Sequence, residues 1–179
     1  MFVLDEKVVY PGHGVAKISR IFEKVISGVV TQFFELKFLN KDMTILVPVD
    51  NLEIVGVRRL SSLDNVNDIF KMLAEPFDMV HSESAPSNWN KRNKEYQGKL
   101  RTGNLYDISK IYRDLRHISS YKELSFGEKA LLQQTELLLA QEISLVKRVG
   151  EDTMIEQLRA MFAPVVYSAV QSSTSHFHS

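Results

Sequence analysis

The sequence predicts a two-domain chain: a small, strongly bent β sheet or Tudor-like open barrel, then an all-helical bundle. Three observations carry that prediction. Residues 1 to 57 hold short β-branched and aromatic runs broken by turn residues, whereas later apolar residues recur at three- and four-residue spacing. The two patterns do not interleave, which favours two modules over one α/β sheet. Helix-start signals, at Asn104 and in Ser125-Phe126-Gly127-Glu128, mark the second part.

Taken in order, Lys7-Val8-Val9-Tyr10 is a strand, and Pro11-Gly12-His13-Gly14 turns the chain because proline fixes φ and glycine accepts positive φ. Val15 to Phe22 makes a second strand and Ser27-Gly28 a second turn. Thr31 to Phe38 follows as a strand, with Glu35 and Lys37 on the face opposite Phe34, Leu36 and Phe38. Asn40-Lys41-Asp42 closes it. Met43 to Val47 opens another strand, and Pro48 at its end suits a sheet margin. Four or five such strands build a bent sheet or open barrel.

Val66, Ile69, Phe70 and Leu73 predict a helix over 63 to 73, ended by Pro76. Residues 75 to 86 hold two prolines and little periodicity, the mark of a connector. The next helix runs from Trp89 to about Thr102 and stops at Gly103. Asn104 caps its successor, striped by Leu105, Ile108, Ile111, Tyr112 and Leu115. In the Ser125 to Glu128 run, the serine accepts from the fourth residue's amide while the glutamate reaches back to the serine amide. The helix behind it carries Leu131, Leu132, Leu138, Leu139 and Leu145 as far as Val149-Gly150, and reads as core instead of a dimer seam. Thr153 to Phe162 is a last short helix before Pro164. Domain bounds follow: 1–60 for the β domain, 61–85 for a helix and connector, 86–163 for the helical domain, and 164–179 for a serine-rich tail expected to be disordered.

Composition narrows the function. At 44% hydrophobic and 25% charged residues the chain is of ordinary globular type. No apolar run approaches a membrane span, and Asp5 and Glu6 come too early for a secretory signal, so a cytoplasmic monomer without membrane contact is expected. With no cysteine there is no disulfide framework, thiolate metal site or cysteine nucleophile. The five histidines lack metal-ligand spacing, and Glu136 and Glu142, six residues apart, fall on different helix faces. Gly12-His13-Gly14 lacks the spacing of a nucleotide loop. No enzyme and no cofactor is expected.

The formal charge is zero, which excludes a protein that coats nucleic acid by electrostatics alone. Residues 89 to 122 nevertheless hold nine Lys and Arg against three Asp and Glu, a local excess that suits phosphate. Trp89, the only tryptophan, opens this stretch, followed by Lys91, Arg92 and Lys94. An apolar ring flanked by cations at a helix N-terminus matches a minor-groove wedge with phosphate contacts beside it. The competing reading makes Trp89 a core anchor whose helix has a solvated outer face.

Several stretches together, in this order, resemble the bacterial CarD/CdnL-like transcription regulators over nearly the whole chain, to about residue 149. They are Lys7 to Gly14, Thr44-Ile45-Leu46-Val47-Pro48, Val55-Gly56-Val57-Arg58, Asn88 to Lys94, Arg113-Asp114-Leu115 and Leu124 to Lys129. The resemblance implies a Tudor-like domain docked on the RNA polymerase β subunit and a helical domain at promoter DNA, at the upstream edge of the bubble. It implies that Trp89 meets the minor groove, that Lys91, Arg92 and Lys94 form the DNA-facing basic segment, and that Lys129 lies near DNA. It also implies a polymerase-facing position for Lys24. Leu46 departs from the family pattern, where a basic residue is usual two positions before Pro48, so strand pairing and apolar packing replace one ionic contact. The connector is longer than in the family. The expected outcome is tethering on polymerase followed by groove capture that stabilises open complex. The alternative is an interaction module on polymerase that does not touch DNA.

Overall fold

A computed structural model describes residues 1–76 and 89–162. Strands come first and helices second, as the patterns require. β1 (Lys7–Tyr10), β2 (Gly14–Ile26), β3 (Val29–Phe38), β4 (Thr44–Pro48) and β5 (Arg58–Arg59) form one antiparallel sheet in the order β4-β3-β2-β1-β5. A 3-10 turn at Val49–Asn51 and the short helix α1 (Leu52–Val55) lead from β4 to β5. The helices are α2 (Leu63–Ala74), α3 (Trp89–Thr102), α4 (Leu105–Tyr121), α5 (Phe126–Lys147) and α6 (Glu151–Ala160). No helix among the described residues is long and apolar enough to cross a membrane.

Several boundaries differ from expectation for physical reasons. β2 runs past Phe22 to Ile26 because Val25 and Ile26 pair with Val30 and Val29 around the Ser27-Gly28 turn. α5 stops at Lys147, since Arg148 takes a left-handed φ of 56°. α6 starts two residues before Thr153, at Glu151. Neither α1 nor β5 was expected. The connector beyond Pro76 and the tail from 164 lie outside the described residues.

Alternation sorts the sheet into two faces. Val8, Ala16, Ile18, Phe34, Leu36, Phe38 and Val47 are buried together and, with Leu52 and Val57, form the core of the β domain. The helical core gathers Tyr96 and Leu100 of α3, the α4 stripe, Leu131, Leu139 and Ile143 of α5, and Met154 and Leu158 of α6. α2 belongs to this second core through Val66, Ile69, Met72 and Leu73. Both expected caps form: Asn104 accepts from the Asp107 amide, and Ser125 and Glu128 make the reciprocal box.

α5 runs through the middle of the bundle and carries three buried glutamates, each neutralised by arginine from another element. Glu128 pairs with Arg92 of α3 at 3.0 Å. Glu136 accepts from the Tyr112 hydroxyl at 2.9 Å and pairs with Arg116 of α4 at 2.6 Å and Arg159 of α6 at 2.5 Å. Glu142 takes both arms of Arg58 from β5, at 2.7 and 2.9 Å. A buried carboxylate stays ionised only with such partners. Burial alone would raise the Glu136 pKa, yet the Arg159, Tyr112 and Arg116 hydrogen bonds outweigh it and hold the group below its usual range.

Candidate nucleic-acid interface

The N-termini of α3 and α5 lie side by side. Trp89, the first residue of α3, is half-buried and packs on the helical core. Its ring rests on Gly127, the second residue of α5, where a Cβ would stand 3.0 Å from the indole Cζ2. The Arg92 guanidinium lies over the ring at 5.6 Å from its centroid. The indole is therefore neither enclosed nor free: one part is seated and another faces solvent. A Gly127→Ala protein is expected to keep its fold, alanine being the better helix former by about 1 kcal/mol, while the added methyl pushes the indole outward. A red shift of the emission of this single tryptophan checks that outcome, and an unchanged spectrum counts against the seating.

Phe126, the first residue of α5, is 90% exposed, the largest exposure of any aromatic ring among the described residues. In the sequence the cap motif of the Ser125 to Glu128 run masks it. A signal was there: Leu131 is five residues on, so at 100° per residue Phe126 falls far from the stripe that Leu131 begins. With Trp89 it puts apolar surface at the joined helix N-termini, where the positive dipole ends favour anions.

The expected cations divide. Lys91 and Lys94 are exposed on α3 and make no ion pair among the described residues. Lys129 is exposed on the first turn of α5, in a 3.0 Å pair with the exposed Glu123. Arg92 requires correction, since its side chain is only 13% exposed and is committed to Glu128. It braces the indole from inside and is not free to reach a phosphate. Lys122, not singled out in the sequence, joins the Glu128 carboxylate at 3.5 Å and remains half in solvent.

The electrostatics of Glu128 hold the seat together. Burial raises its pKa, but the Ser125 amide at 2.8 Å, the Arg92 guanidinium and Lys122 together hold the carboxyl below its usual range. An ionised Glu128 thus fastens Arg92, and Arg92 covers Trp89. Among the described residues no group of histidines and carboxylates gathers as a metal site.

The other expected contact residues meet on the β domain. Register places Arg20, Glu35 and Leu46 in one row across the sheet, and Phe22, Phe33 and Pro48 in the next, with Lys24 opposite Thr31 in the row beyond. Alternation puts all three rows on the face away from the β core. Lys24, Leu46 and Pro48 therefore share one surface. It is aromatic at its centre, where Phe22 and Phe33 stack at 5.8 Å and Arg20 lies over Phe22 at 4.5 Å. Leu46, on the edge strand, is 48% exposed.

Two family models match the chain, the CarD C-terminal domain over residues 68–159 and the CarD-like/TRCF RID domain over residues 2–61. A candidate transcription factor of Bacillus subtilis (strain 168), YdeB, is 25% identical over 152 residues, which is 84% of this chain and 95% of that protein. The solution structure of the 72-residue N-terminal domain of Myxococcus xanthus CarD is 27% identical, covering 33% of this chain and 79% of that one, with a TM-score of 0.30. Two consecutive domain matches, in the order in which sheet and helices follow one another, settle the kinship: the chain belongs to the CarD-like family.

Proposed function

We propose that this CarD-like transcription regulator docks on the RNA polymerase β subunit through the sheet face of Lys24, Leu46 and Pro48, and holds promoter DNA at the upstream edge of the bubble with Trp89. The observation that carries the DNA half is the part-exposed indole and the 90% exposed Phe126 at adjoining helix starts, with exposed Lys91 and Lys94 on the first turns of α3 and Lys129 on the first turn of α5. Apolar groups of this kind wedge at base steps that are already distorted, and lysines beside them neutralise phosphate. A wedge that fits opened duplex better than closed duplex slows bubble closure by differential affinity, with little readout of sequence. Docking on polymerase supplies the effective concentration that a weak DNA contact needs.

The test is Trp89→Ala in the full chain. Binding to purified polymerase β subunit is expected to persist, while promoter open complexes lose the added lifetime. Unchanged lifetimes refute the wedge. One observation favours a second reading, a polymerase-bound module without DNA contact: part of the indole is packed inward and Arg92 is spent on Glu128. Salt separates the two. Three lysine–phosphate contacts give a slope of log affinity against log salt of about −2.7, roughly 0.9 per contact. Titration of the chain against a forked duplex measures it, and a slope near zero favours the second reading.

A further inference from the structure

The seam between the two domains is built from groups that leave little play. Arg58 of β5 donates through Nη1 and Nη2 to the two oxygens of Glu142 on α5, and through Nε and Nη2 to the Gly103 carbonyl between α3 and α4, at 3.0 and 2.8 Å. Glu142, with its side chain 3% exposed, also accepts from the Ser61 amide and hydroxyl at 2.9 and 2.8 Å. One guanidinium thus grips two elements of the helical domain at once, with a fork whose plane fixes direction as well as distance. Two close approaches back it. Gly103, at φ +67°, lies under Pro11, where a Cβ would be 3.1 Å from the proline ring. The Val15 amide donates to Gln141 Oε1 at 3.0 Å, with Gly14 pressed on the same side chain.

We propose that Arg58 is a positioning residue that sets the angle between the domains. A sheet docked on polymerase then aims the Trp89 and Phe126 edge, a step that rests on the DNA reading above. On this view the chain is a rigid gauge and not two domains on a loose tether, so the ordering cost of aiming is met on folding and not at the promoter.

Because the chain has no cysteine, spin labels can be placed at will. Glu53→Cys with Ser119→Cys reports across the seam, and Ser119→Cys with Glu156→Cys reports within the helical domain; all three positions are exposed. The variants are Arg58→Lys, which keeps the charge and loses the fork, and the double change Arg58→Met with Glu142→Gln, which leaves no buried charge unpaired and keeps an acceptor for Ser61. The parent is expected to give a narrow distance distribution across the seam. Both variants are expected to broaden it, with the control pair unchanged, β-subunit binding intact and promoter-complex lifetime reduced roughly tenfold. A distribution as narrow as the parent's in both variants overturns the proposal. A broadened distribution with full lifetimes overturns the aiming, provided Trp89→Ala shortens them. If Trp89→Ala leaves lifetimes unchanged, the DNA reading fails, and the distances still decide the rigid angle. Should the double variant melt without cooperativity, Arg58→Lys alone decides.

Discussion

Glu128→Ala is expected to remove about 3–5 kcal/mol of folding stability, the usual consequence of stripping one partner from a buried ion pair. The carboxylate is 2% exposed and holds three groups: Arg92, Lys122 and the Ser125 amide, the last closing the box on the first turn of α5. Its loss leaves the Arg92 guanidinium inside without its ion-pair partner, and Arg92 Nε has no hydrogen-bond partner among the described residues even in the intact protein. Glu123→Ala, which breaks the exposed pair with Lys129, should cost below about 1 kcal/mol. Urea titrations of both variants measure the contrast, and equal small losses would show that Arg92 is solvated after all. The pH dependence has a definite sign. Glu128 and Glu136 are both held below their ordinary value of 4.5 in the folded chain, so their contribution is complete above that value and is lost as pH falls below it. Glu128→Ala should therefore flatten the acid limb of stability against pH as well as lower its plateau.

The buried glutamates also mark where the sequence stops being legible. Strand alternation in 31–38, the Asn104 cap and the Ser125 box are local patterns, and each gave an element near its true place because few other conformations satisfy it. Glu128 is legible only as the glutamate of that box, and Glu136 and Glu142 form no local pattern. α5 is surrounded by neighbours on several sides, so carboxylates on different faces are all enclosed, and their arginines arrive from positions 58, 92, 116 and 159. Nothing in the spacing of Glu136 and Glu142 announces this, and the separation that argued against an acid pair instead sends them to different partners. Arg92 suffered from the same blindness: as one cation of a basic run it belonged with the phosphate contacts, and only the fold turns it inward. Short elements were lost for a related reason. α1 and β5 are four and two residues long, too short to show a period, and exist because Gly56 turns left-handed and Arg58 and Arg59 pair with β1.

Leu46→Pro is expected to leave the fold standing and weaken binding to the polymerase β subunit by about tenfold, if the edge of β4 is the docking strand. The Phe38 amide donates to Met43 oxygen at 3.1 Å, which fixes the alternation of the β3–β4 ladder. Counting from that pair, Ile45 and Val47 turn their backbone groups toward β3, and Leu46, opposite Glu35, turns its own away. β4 is a sheet edge, so the Leu46 N–H and carbonyl point outward, where a strand of another protein can pair with them. Proline there deletes the outward N–H and the leucine side chain and spares every β3 bond, since proline is tolerated on the open side of an edge strand. One backbone hydrogen bond at roughly 1 kcal/mol, with part of an apolar side chain, amounts to about a factor of ten. Ile45→Pro is the control, because the N–H it removes belongs to the ladder and its loss should unfold the sheet. Calorimetric titration of the β subunit into the Leu46→Pro chain measures the effect. An affinity equal to the parent's, in a variant with the parent's melting curve, would move the polymerase contact off the β4 edge and onto the stacked Phe22 and Phe33 face beside it.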